Sequence, residues 1–132
     1  MSMKLDHVGI AVKSIDDTLA VYRKLMQFQE KRTEVASQGA KVALIPAGGL
    51  TLELLEPTSK DSAIGKFLAE RGEGLHHIAF EVDDIEASME EFKAKGFRFV
   101  YEKPAAGKFG SRVNFMHPRD TGRVLIELTQ HR

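Results

Sequence analysis

Leu5-Asp6-His7-Val8-Gly9-Ile10-Ala11-Val12 returns later in the chain as Leu75-His76-His77-Ile78-Ala79-Phe80-Glu81-Val82. Each copy sets one histidine in an alternating apolar segment, the pattern of a half-buried strand. The register extends beyond these segments: His7 and His77, Val12 and Val82, Ile15 and Ile85, Leu19 and Met89, and Tyr22 and Phe92 all stand 70 apart. Toward the end of each half, Leu52-Glu53-Leu54 matches Ile126-Glu127-Leu128 at an offset of 74, so the second half carries four extra loop residues. Internal duplication is therefore the organising fact of the sequence.

Working outward, Ser14 offers an N-cap and Asp16-Asp17 an acidic first turn for a helix over about 15–26. Phe28 to Val35 reads as a polar edge strand, Gln38-Gly39 as a turn, and Lys41 to Ile45 as a strand closed by Pro46. After the turn at Ala47-Gly48-Gly49, the strand Leu50 to Leu55 puts Leu50, Leu52 and Leu54 on one face and Thr51, Glu53 and Leu55 on the other. A short helix, Ala63 to Arg71, follows Pro57. The second half repeats the scheme: a strand over 75–82, a helix from Asp83-Asp84 to Gly96, a strand Phe97 to Tyr101, a loop Pro104 to Gly110, and strands Arg112 to Met116 and Val124 to Thr129. The expected organisation is a β-α-β-β-β module over 1–57, a helical linker over 58–73 and a second module over 74–132, in one compact domain. One helix covers only one face of such a sheet, which leaves the other face to be buried against, or curled toward, its twin. The expected class is α+β, two tandem βαβββ modules forming a curled mixed sheet around a metal-binding cleft.

The chain has 132 residues, 19 basic and 19 acidic side chains and a formal net charge of zero. That balance gives no broad attraction to nucleic acid or to an anionic membrane. No cysteine is present, which removes disulfides and thiolate ligands and leaves histidine and carboxylate to bind any metal. No apolar run approaches a signal or membrane-spanning segment, so a soluble, cytoplasmic protein is expected.

A lone histidine on an apolar strand is usually a satisfied core residue. Four residues at equivalent places in a duplicated chain are different: His7 and Glu53 from one half, His77 and Glu127 from the other, on the first and last strands of each. Buried carboxylates without partners are costly, and a shared cation removes that cost. Two histidines and two carboxylates suit Zn, Co, Ni or Mn, with positions left for water or substrate. His76 should point to the opposite face from His77, His117 is either a turn residue or a pocket wall, and His131 reads as tail.

Asp6-His7-Val8-Gly9-Ile10-Ala11-Val12, Leu54-Leu55-Glu56-Pro57, Asp61 to Leu68, Gly74 to Phe80 and Asn114-Phe115-Met116-His117-Pro118 carry a family resemblance. From about residue 4 to 130 the chain resembles the vicinal oxygen chelate superfamily (glyoxalase/bleomycin-resistance/dioxygenase), and within it the methylmalonyl-CoA epimerases. The resemblance implies that His7, Glu53, His77 and Glu127 bind one divalent metal ion. It implies an acyl-CoA thioester substrate, α-proton abstraction to a metal-stabilised enolate, and return of the proton to the opposite face. Inversion needs an acid or base on each side of the carbon, and Glu53 and Glu127 are the expected catalytic pair. Some epimerases carry glutamine where this chain has Glu53, with a separate glutamate on the strand that here reads Ala40-Lys41-Val42-Ala43. Either Glu53 replaces the base absent at Val42/Ala43, or the scaffold performs another reaction. Glyoxalase I uses the same His/Glu/His/Glu set, so a lactoylglutathione lyase-type isomerase is the first alternative and a non-catalytic small-molecule binding module the second. For the CoA phosphates, Lys60, Lys66, Lys103, Lys108, Arg112 and Arg119 are candidates, with Ser111 for a substrate carboxylate and His117 as a further substrate contact. Superfamily membership also implies a homodimer.

Overall fold

The computed structural model describes residues 3–132; Met1 and Ser2, the start of the first expected module, lie outside the described residues. The elements follow as β1 (Lys4–Ala11), α1 (Ile15–Tyr22), β2 (Lys31–Val35), β3 (Ala40–Ala47), β4 (Leu50–Pro57), α2 (Ala63–Arg71), β5 (Gly74–Glu81), α3 (Ile85–Ala94), β6 (Ala105–Ala106), β7 (Arg112–Met116) and β8 (Ile126–Gln130). The class is α+β, with three helices and an eight-stranded mixed sheet in the order β2-β3-β4-β1-β5-β8-β7-β6. Only β5 and β8 are paired in parallel among the strand pairs whose registers are described. The chain divides into two compact units, Val8–His76, and Met1–His7 with His77–Arg132, so the division falls inside the two histidine strands.

In the unit Val8–His76, β2, β3 and β4 form an antiparallel meander, with Val42 opposite Leu55 and Ala43 opposite Leu54. Alternation sends these pairs to opposite faces. Val42 and Leu55 pack with Ala11, Val35, Ala40 and Ile64, joined by Phe67 and Leu68 of α2. Ala43, Ile45 and Leu54 pack with Val12, Ile15 and Leu19 of the α1 side. Glu53 therefore shares its face with Leu55, away from α1.

In the other unit, α3 lays Ile85 and Met89 on Val82, Met116 and Leu128, with Phe80, Phe92, Phe97 and Phe99 around them. Glu127 lies between Ile126 and Leu128 on β8 and so faces away from that core.

The repeat is written into hydrogen bonds as well as side chains. Ser14 caps α1 by accepting from the Asp17 N–H, and Asp84 caps α3 by accepting from the Ala87 N–H. Val12 N–H donates to Leu55 O and Val82 N–H to Thr129 O, both at 2.9 Å. The first N–H of each helix is also taken: Ile15 N–H goes to Glu56 Oε1 at 2.9 Å and Ile85 N–H to Gln130 Oε1 at 2.8 Å. Thus each ligand-candidate glutamate is followed three residues later by a side chain that closes the first turn of its module's helix.

Three sequence expectations are corrected. The α-helix ends at Tyr22 rather than near 26, because Lys24 and Leu25 donate to Val21 and Tyr22, tightening the last turn into a 3₁₀ pattern. Pro46 does not close its strand; β2 reaches only Leu44, so the missing N–H falls where β3 has no β2 partner. Phe97 to Tyr101 is not a strand but makes one isolated bridge, Phe99 to Met116. The cause is Asn114, whose Oδ1 accepts from Tyr101 N–H at 3.1 Å while its Nδ2 donates to Tyr101 O at 2.9 Å. Two backbone bonds, Val100 N–H to Phe115 O at 2.8 Å and His117 N–H to Arg98 O at 2.7 Å, make the bridge, and the Asn114 amide takes over at Tyr101 where a longer ladder was expected. Among the described residues no helix is long and apolar enough to cross a membrane.

Candidate metal centre

β1 delivers His7, β5 delivers His77 and β8 delivers Glu127, and all three are at most 2% exposed. His7 Nε2 lies 3.0 Å from His77 Nε2 and 3.5 Å from Glu127 Oε2, and His77 Nε2 lies 3.4 Å from Glu127 Oε1. The two rings meet edge to face at 5.1 Å between centroids, and Phe115 walls the His77 ring at 6.1 Å.

The spacing fits a metal. Bonds of about 2.0–2.2 Å at angles of about 90–110° put neighbouring ligand atoms about 2.8–3.6 Å apart, the range that the three contacts occupy. The donor chemistry agrees, since Nδ1 of His7 lies 2.6 Å from Asp6 Oδ2, which keeps the proton on that nitrogen and leaves Nε2 as a lone-pair donor. Two buried hydroxyls add to the fit: among the described residues Ser111 Oγ and Thr129 Oγ1 have no hydrogen-bond partner. Thr129 is on the Glu127 face of β8, and Val113, two residues after Ser111, is opposite it in the ladder. Buried hydroxyls left unsatisfied cost about 1–3 kcal/mol each, which a polar ligand removes.

The other residues singled out in the sequence take distinct places. Glu53 is 3% exposed on β4, in the unit Val8–His76. Lys108 brings Nζ to 3.4 Å from His7 Nδ1. It sits in the Lys108–Gly110 turn, where Phe109 takes a left-handed φ of 52°. Arg112 pairs both guanidinium nitrogens with Glu86, Nη1 donating to Oε1 at 2.8 Å. His117 starts the 3₁₀ turn Pro118–Asp120, its Nδ1 accepting from Arg119 N–H. His76 packs edge-on against Phe67, and burial pushes its imidazole down to about 4, the Glu53 carboxylate opposing that shift.

Sequence reasoning missed Asp6 and His131. The sequence offers Asp6 only as the neighbour of His7 and His131 only as tail. In the structure Asp6 accepts from both, at 2.6 Å each. Burial alone raises the Asp6 carboxyl, but the hydrogen bonds from His7 and His131 outweigh it and hold the group well below the usual carboxylate range. The Asp-His dipeptide was the signal available for Asp6; nothing in the sequence pointed to His131.

A family model described as the Glyoxalase/Bleomycin resistance protein/Dioxygenase superfamily matches residues 6–115. The human mitochondrial methylmalonyl-CoA epimerase is 36% identical over 129 residues, which span 96% of this chain and 73% of that protein. A methylmalonyl-CoA epimerase solved in complex with methylmalonyl-CoA and NH4+ is 39% identical, with a TM-score of 0.93 over 99% of this chain and 96% of that one. A Streptomyces coelicolor methylmalonyl-CoA epimerase variant in complex with 2-nitronate-propionyl-CoA is 40% identical, with a TM-score of 0.92 over 97% of this chain and 94% of that one. The chain belongs to the glyoxalase/bleomycin resistance protein/dioxygenase superfamily and, within it, is a homologue of the methylmalonyl-CoA epimerases.

Proposed function

We propose that the protein is a metal-dependent isomerase that interconverts (2R)- and (2S)-methylmalonyl-CoA. The observation that carries this reading is the buried cluster of His7, His77 and Glu127, in a chain whose relatives named above are methylmalonyl-CoA epimerases. His7, His77 and Glu127 hold one divalent ion, Co, Zn, Ni or Mn, and the internal repeat makes Glu53 the fourth ligand. When bound, the ion supplies a Lewis acid for the oxygens of a thioester and its neighbouring carboxylate.

The chain's own side chains do the rest. Inversion at the α-carbon requires one group to take a proton and another to return one, and Glu53 and Glu127 are the proposed pair. Glu53 fills the role for which Val42 and Ala43 offer no carboxylate. The unpartnered Ser111 hydroxyl is suited to a substrate oxygen, and Lys108, already beside His7, to an anionic one. Arg112 and His117 belong to the same proposal as outer contacts of the acyl-CoA. The reading includes a cytoplasmic homodimer.

The test is solvent exchange. With metal-loaded protein in deuterated water, methylmalonyl-CoA exchanges its α-proton and the 2R and 2S forms equilibrate. A fully metallated sample that exchanges nothing overturns the proposal, as does turnover of the methylglyoxal-glutathione hemithioacetal in its place.

A further inference from the structure

Asp6 uses both carboxylate oxygens on imidazoles: Oδ2 on Nδ1 of His7 and Oδ1 on Nε2 of His131, each at 2.6 Å. A carboxylate only accepts, so each of those nitrogens carries its proton, and in His7 the lone pair is left on Nε2. Lys108 Nζ is also near His7 Nδ1, but at 3.4 Å it is more distant, and an ammonium cannot accept a proton from the ring. Asp6 therefore decides the tautomer.

His131 follows directly on β8, the strand that supplies Glu127, so one strand carries a candidate ligand and, four residues on, the partner of Asp6. Arg132 is packed as well. A Cβ added at Gly110 would meet the Arg132 side chain at 2.9 Å, and His131 lies 3.9 Å from Glu81. The arrangement is not a by-product of duplication, since His76 occupies the Asp6 position of the second copy and packs on Phe67.

From this geometry we infer that Asp6 and His131 are positioning residues of the metal site: Asp6 fixes the His7 ring with Nε2 presented to the ion, and His131 fixes Asp6. The inference rests on the metal-site reading above. Asp6→Asn keeps the size of the side chain but offers one acceptor where the carboxylate offers two: an amide that accepts from one ring turns its NH2 to the other, so the joint hold on His7 and His131 is lost together with the charge that favours the proton on Nδ1.

Two measurements on the full chain test it. In metal-free protein, long-range ¹H–¹⁵N spectra report the His7 tautomer, expected as Nδ1–H in the wild type and shifted toward Nε2–H in Asp6→Asn. Zn²⁺ affinity, read by chelator competition, falls about 10–100-fold in Asp6→Asn, the usual loss when the partner of a ligand histidine is removed. His131→Ala lowers affinity by a smaller factor, and His131→Gln, which keeps an N–H at the Nε2 position, restores it. Wild-type affinity and tautomer in Asp6→Asn overturn the inference. Should Asp6→Asn fail to fold, the His131 pair decides alone, and equal affinity in His131→Ala and wild type overturns it. A wild-type chain that takes up no Zn²⁺ overturns the metal reading instead. The tautomer then still decides the role of Asp6, an Nδ1–H form that Asp6→Asn displaces supporting it and an unmoved one overturning it.

Discussion

Asp6 and His76 hold the same position in the two copies, one residue ahead of a candidate ligand, yet they face opposite demands. Asp6 is held as an anion between two imidazoles, whereas burial beside Phe67 pushes the His76 imidazole down to about 4 and so keeps it neutral. The same divergence recurs on the strands paired with the glutamates. Ala43 sits in an ordinary ladder opposite Arg32 and Leu54, while its counterpart Asn114, opposite Leu128, turns its amide on Tyr101. Duplication has preserved the backbone scheme and the helix clamps, and has left the side chains beside the functional positions to specialise.

The sharpest division to probe is between the two glutamates. Glu127→Gln should lose metal and activity together, because it weakens the only carboxylate in the three-residue cluster. Glu53→Gln should keep metal, held by His7, His77 and Glu127 with the amide oxygen in place of the fourth ligand, but lose isomerisation by about 10²–10⁴-fold, the range for removing a general base. Paired metal analysis and exchange kinetics separate them. If both variants lose metal alike, the glutamates are equivalent ligands and the base lies elsewhere.

Asn114 offers the next largest effect, on stability. Asn114→Ala strips partners from both the N–H and the C=O of Tyr101, and at about 1–3 kcal/mol per orphaned group a loss of about 2–6 kcal/mol is expected in urea denaturation. A loss below about 0.5 kcal/mol would mean that water replaces the amide without penalty, and that Phe97 to Tyr101 needs no such support.

How far the sequence could be read follows from the same contrast. The histidine strands, the helices α2 and α3 and the strand β7 were legible because apolar periodicity and caps are local signals, carried twice in all but α2. The chain of contacts from His131 through Asp6 to His7 was not, since it depends on a residue 125 positions away in the sequence. Nor was the loss of the strand at Phe97 to Tyr101, where the alternation suits a strand and only the tertiary placement of one amide decides otherwise. Pro46 misled for a related reason: whether a proline stops a strand depends on which edge its nitrogen faces, and neighbours in the sheet set that.

Smaller effects probe the conserved part of the comparison. Glu56→Ala and Gln130→Ala each free the first N–H of a helix, at Ile15 and Ile85, and each should cost about 1 kcal/mol. Glu56→Ala should cost more, because a carboxylate at a helix N-terminus also complements its dipole and Glu56 lies 3.9 Å from Lys41. Equal losses would show that the hydrogen bond is the whole contribution in both modules.

The smallest effect belongs to a feature of the second module. Asp120 accepts from Arg98 three times, from Nε at 3.0 Å, from Nη2 at 2.9 Å and from the backbone N–H at 2.9 Å. The side-chain hydrogen bonds, then the backbone one, hold its carboxyl down at about 2 against an ordinary 3.8. The folded value lies below the unfolded one, so this stabilisation is complete above about pH 4 and is lost as pH falls toward 2. Asp120→Asn should therefore narrow its stability gap to the wild type only within that acid window, and leave the shape of the curve above it unchanged. The clamp grips Arg98 next to the bridge at Phe99, so it and Asn114 secure the same stretch from two points. Combining Asp120→Asn with Asn114→Ala should give more than the sum of the separate losses if those points share one segment, and simple additivity would show that they act independently.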